Sequence, residues 1–127
     1  MRKHVLILVV SVVLLLACNK EKEADSLSCN LETAPSQFDE DSLEVTYKLE
    51  ADGEYTLTLF YYYDESGRVE IDNPSLPQEI KVSLSEQKTI MTGARGSVKN
   101  GHIEVSYEAN TSSSSYSGSD RCQQSSQ

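Results

Sequence analysis

Apolar side chains recur at every second position through most of this chain. Leu27, Cys29 and Leu31 alternate with Ser28 and Asn30, and Leu43, Val45, Tyr47 and Leu49 alternate with Glu44, Thr46 and Lys48. Successive side chains of a strand point to opposite faces, so this period predicts strands with one buried and one solvated face. Extended past a turn at Ala51-Asp52-Gly53, it puts Tyr55, Leu57, Leu59, Tyr61 and Tyr63 inside and Thr56, Thr58, Phe60 and Tyr62 outside. Val69 with Ile71, then Ile80 with Val82 and Leu84, and later Ile103 with Val105 and Tyr107 predict further strands. Ile90 and Met91 mark a weaker one, and residues 94–99 are thin in apolar side chains apart from Val98. Asp64-Glu65-Ser66-Gly67 reads as a turn, and Asn100-Gly101 is the strongest hairpin signal. Residues 73–77 carry two prolines, which lack ladder donors, so this stretch predicts a crossover between sheets. No stretch beyond the N-terminus has a helical period. About seven short strands separated by turns predict an all-β, antiparallel, immunoglobulin-like β-sandwich over residues 26–109. From Asn110 the chain is mostly serine, too polar to offset its ordering entropy, which predicts a flexible tail over 110–127. A short last strand near Tyr116 is the alternative.

The N-terminus breaks the pattern. Arg2, Lys3 and His4 precede an apolar run from Val5 to Leu16, interrupted only by Ser11, and small Ala17 stands just before Cys18. The run is about 12 residues, short of the roughly 20 that span a bilayer, so it reads as a signal segment over 1–17. Leu15-Leu16-Ala17-Cys18 resembles the bacterial lipobox, with leucine at position 16 a less common choice. In that family the signal is cut before the cysteine and its thiol receives a diacylglyceryl group. The resemblance therefore implies lipidation at Cys18, a tether over 18–25 and a membrane-anchored protein of the cell envelope. Several acyl chains on one residue anchor durably where one binds only reversibly. The tether, Asn19-Lys20-Glu21-Lys22-Glu23-Ala24-Asp25, is similar to the acidic export signal of surface-displayed lipoproteins of the Bacteroidetes, apart from its lysines. That implies display on the outer face of the outer membrane. The periplasmic face is the alternative.

Charge narrows the partners. The chain carries a net charge of −9, and loss of residues 1–17 makes it two units more negative. This argues against nucleic acid, whose binding depends on Lys and Arg at phosphates. It also argues against adhesion to anionic headgroups and favours solubility of a tethered domain. With Cys18 lipidated, Cys29 and Cys122 remain, and an oxidising compartment predicts a disulfide between them. Two free thiols are the alternative.

A second resemblance runs over residues 43–107. Val45-Thr46-Tyr47-Lys48, then Tyr55 to Leu59, Tyr63-Asp64-Glu65-Ser66-Gly67, Ser75-Leu76-Pro77 and Asn100-Gly101 follow one another as in MmpS-like small membrane-anchored domains. This chain departs from them in having a lipobox instead of a transmembrane helix and Gln78 after the proline. The resemblance implies an immunoglobulin-like sandwich and a role as accessory to an exporter.

The candidate chemistry is sparse. His102 is the one histidine outside the signal, too few for a catalytic triad and a poor start for a zinc site. Asp39, Glu40, Asp41 and Glu44, and separately Asp64 and Glu65, read as solvated acidic connections, without the alternation of a calcium loop. No cofactor and no metal are implied. Phe60 and Tyr62, placed outward by the period, make a candidate face for a glycan or an envelope protein, unless the tail or a loop covers them. Asp25-Ser26-Leu27 and Asp41-Ser42-Leu43 resemble the acceptor pattern of Bacteroidetes O-glycosylation, which implies Ser26 and Ser42 as attachment points; chance is the alternative. Together these features predict a non-enzymatic binding or accessory module. The alternative is an inhibitor or immunity-type lipoprotein that blocks an envelope-attacking enzyme such as a lysozyme.

Overall fold

The structure, a computed structural model, describes residues 26–125. The signal segment, the tether and Cys18 lie outside the described residues. Six antiparallel strands build the fold: β1 (Leu27–Glu32), β2 (Ser42–Asp64), β3 (Gly67–Asp72), β4 (Gln78–Ser85), β5 (Thr92–Asn110) and β6 (Ser115–Gln124). There is no helix among the described residues.

Two strands are unusually long, β2 with 23 residues and β5 with 19, and they pair along most of their length. Both bend where Asp52-Gly53 faces Asn100-Gly101, and the register shifts there. The first half of β2 pairs with β4 and with the second half of β5, whose far side takes β6. The second half of β2 pairs with β3 and with the first half of β5, which takes β1. One curled sheet thus supplies two four-stranded layers, in the orders β4-β2-β5-β6 and β3-β2-β5-β1. The expected sandwich is present, and its two layers share their central strands.

This geometry corrects both turns. Ala51-Asp52-Gly53 and Asn100-Gly101 are not hairpins; they form a single corner. Gly53 and Asn100 have positive φ, 81° and 55°. A Cβ on Gly53 would collide with the Asn100 carbonyl, and one on Gly101 with the Asp52 carbonyl. Local turn chemistry here serves a bend in two paired strands, because each strand continues to find ladder partners beyond it. Asp64-Glu65-Ser66-Gly67 is the expected hairpin, joining β2 to β3.

The alternation holds where sequence and pairing agree. Leu43, Val45, Tyr47 and Leu49 are buried, as are Cys29, Leu31, Val98, Ile103 and Val105. Leu27 and Tyr55, expected inside, are each 41% exposed, and past Leu57 the alternation reverses. Leu57 opposes Gly96 but Leu59 opposes Arg95, so Thr58 is an extra residue, a β-bulge. One extra residue exchanges the two faces of everything that follows. Phe60 is therefore fully buried at 0% exposure, and Tyr62 packs partly buried against the same core. The outward placement of Phe60 is overturned for this reason.

The tail also differs from expectation. Residues 115–124 pair with β5 through ten consecutive residues, so the flexible stretch expected over 110–127 is a strand over most of its described part. Its inward positions are small or polar, apart from Tyr116 and Cys122. Its order comes from the backbone ladder, from Tyr116 and from the Cys29–Cys122 disulfide, whose Cα atoms are 5.9 Å apart. The Tyr116 ring meets Phe38 edge-on at 6.4 Å, and its hydroxyl donates to Glu40 at 2.8 Å.

Candidate functional site

The two flanks of the sandwich are built differently. On one, β1 and β6 are the edges. The disulfide joins them, and the Glu32 amide donates to Asp120 at 2.9 Å. On the other, β3 and β4 are the edges, and no Cα atoms of these two strands lie within 8 Å of each other. The two edges are linked directly at their ends, and between them Ile71, Ile80 and Val82 pack against the core. Beside the corner, residues 73–77 connect β3 to β4. At the far end Glu65, in the β2–β3 turn, accepts hydrogen bonds from the Ser85 amide at 2.8 Å and from the Ser85 hydroxyl. These bonds, the hydroxyl's first, hold the Glu65 carboxyl below the usual carboxylate range.

Between those ends the inward side chains of both edges are half-buried. They are Val69 and Ile71 on β3, and Ile80 and Val82 on β4. β4 is eight residues long and pairs only with β2. Its outward residues are Glu79, Lys81 and Ser83, all exposed. An unpaired strand edge offers a row of backbone donors and acceptors for another strand. This edge is the candidate docking site, and the period in sequence could not mark it, since an edge strand and an interior strand alternate alike.

The sequence-derived candidates are dispersed. Phe60 is core, and Tyr62 stacks between Phe60 and Tyr47 with ring centroids 5.9 and 5.5 Å away, so the pair is no exposed face. Tyr61, between them, turns to the outer side, yet it is only 3% exposed, and the exposed aromatic of β2 is Tyr55 at 41%. The Tyr61 hydroxyl donates to Glu32 at 2.8 Å, and the Arg68 guanidinium lies over its ring at 3.7 Å. Burial, with the Glu32 bond second, pushes its phenol up to about 12. Burial does the same to Tyr47, which donates to the Tyr63 carbonyl at 2.8 Å and so joins the layers.

Cys29 and Cys122 are bridged, as expected. Ser26 and Ser42 are both exposed, Ser26 ahead of β1 and Ser42 at the start of β2. His102 pairs with Asp52 at 2.9 Å beside the corner. Glu40 is held below the usual carboxylate range chiefly by the Tyr116 hydroxyl. No group of three or more potential metal ligands gathers among the described residues. The outer face of the β4-β2-β5-β6 layer carries a shallow groove of about 250 Å³ over Ser106, Ser117 and Ser119, flanked by Lys48 and Glu108.

No family model, no curated protein and no solved structure matches this chain.

Proposed function

We propose that this chain is a lipid-anchored, non-enzymatic binding module of the cell envelope that engages its partner by strand addition at β4. The observation that carries the reading is the contrast between flanks. One is closed by a disulfide, whereas the other leaves β4 unpaired beside half-buried Ile80 and Val82. Main-chain hydrogen bonds would supply affinity there, and the alternating side chains of β4 would supply selectivity. The lipobox resemblance at Cys18 supports the anchor, and the net charge of −9 supports a solvated domain above the membrane.

The anchor is tested by Cys18→Ser, which should move the protein from the membrane fraction to the soluble fraction. Retention in the membrane would overturn it. Docking is tested in intact cells with a photo-reactive phenylalanine analogue replacing Ser83 on β4 or, as a control, Ser97 on the other layer. The reading expects adducts from position 83 and none from 97. Adducts from 97 alone, or from neither position, would overturn it.

A further inference from the structure

We propose that the strand received by β4 is β4 of a second copy of this chain. The inference rests on the docking reading above and names its partner. In an antiparallel pair, residues directly opposite share a face, so a twofold axis can pass through any residue of the strand. The charges of β4 then discriminate between registers. Centring on Glu79 or on Lys81 places like charges opposite each other, which is unfavourable. Centring on Ile80 places Glu79 opposite Lys81 of the second copy, and Lys81 opposite its Glu79. Centring on Val82 gains no ion pair. The exposed face of β4 is thus self-complementary about Ile80.

Its other face agrees. Ile80 is half-buried and would meet Ile80 of the second copy on the inner side, with Val82 opposite Gln78 on each side of it. Pro77 ends the usable edge, because it has no amide donor. The other edges serve worse. β3 carries Arg68, Glu70 and Asp72 with a net negative charge, and the Arg68 guanidinium is already engaged by Glu70 and Tyr61. β1 and β6 close on each other through the disulfide. The domain as a whole is strongly acidic, so two copies repel, and a neutral edge with alternating sign is where that repulsion is least. Tethering both copies to one membrane would raise their effective concentration.

Charge exchange tests this. Full-length protein extracted in mild detergent is compared by sedimentation over a concentration series as wild type, Glu79→Lys, Lys81→Glu and the double exchange. Each single reversal sets two like-charge pairs against each other and should weaken the dimer about tenfold. The double exchange restores two opposite pairs and should return the dimer to within about twofold of wild type. Both positions are exposed, but Glu79 stands opposite Lys48 of β2, so Glu79→Lys should lower the melting temperature slightly and Lys81→Glu, opposite Thr46, less, with neither unfolding the domain. A wild type that stays monomeric, or a dimer indifferent to the single reversals, would overturn the inference. The Ser83 adducts separate the two readings: an adduct of twice the chain mass supports the second copy. An adduct of another mass with a monomeric wild type refutes the second copy and leaves strand docking intact, and no adduct refutes both.

Discussion

Phe60 shows what a single residue's environment does to its meaning. In a strict period of two it is an exposed aromatic suited to stacking on a sugar; with Thr58 inserted it becomes one of the largest fully buried side chains. Truncating a buried phenylalanine costs about 3–5 kcal/mol, so Phe60→Ser should lower the urea midpoint sharply, and Tyr62→Ser should cost less. A change under about 1 kcal/mol in Phe60→Ser would return it to the surface. The Glu65 carboxylate supports a second expectation. Its folded pKa is depressed by Ser85, so its contribution is present above the ordinary carboxylate value of about 4.3 and is lost as pH falls through the lowered one. Unfolding titrations should therefore show the loss on the acid side only, and Glu65→Gln should flatten that part of the profile. An unchanged acid slope would detach Glu65 from stability.

At the scale of elements, most strands, the hairpin at Asp64-Glu65-Ser66-Gly67 and the crossover over 73–77 were legible, whereas the corner, the bulge and β6 were not. Leu43 to Leu49, Ile80 to Leu84 and Ile103 to Tyr107 alternate because each lies in an unbroken ladder with one face in the core. The corner was hidden because Asp52-Gly53 and Asn100-Gly101 have hairpin composition, and only the partner strand reveals that both bend together. The bulge at Thr58 was hidden for the same reason, since it exists only relative to Arg95. β6 was hidden because serine-rich composition records little apolar burial, whereas its order rests on a ladder and a covalent bond formed with distant residues. The open edge of β4, and with it the candidate site, belongs to the same class: it depends on which strands do not meet. The corner makes its own prediction. At Gly53 a methyl group meets the Asn100 backbone, whereas at Gly67, also at positive φ, nothing lies within 4 Å. Gly53→Ala should cost clearly more than Gly67→Ala, whose penalty is the backbone strain of about 1 kcal/mol alone. Equal losses in urea denaturation would mean that the corner can open without cost.

In the whole molecule, stability is divided unevenly between the flanks. β2 and β5 form the centre, and each has partners on both sides along most of its length. β3 and β4 hang from β2 by one ladder each, whereas β6 adds to its ladder with β5 a disulfide spanning 93 residues of sequence. Removing such a bond from a small domain typically costs about 2–5 kcal/mol. Its local effect should be larger than its global one, because the inward face of β6 contributes little besides Tyr116 and Cys122. Hydrogen exchange is expected to show β2 and β5 as the most protected strands, β4 as less protected, and β6 as protected only while the disulfide is intact. Reduction by a dithiol, or Cys122→Ser, should raise exchange across 115–124 well before it raises exchange in β2. If β6 instead stays protected until the centre opens, then its ladder and the Tyr116 contacts suffice, and the bond acts only on the unfolded chain.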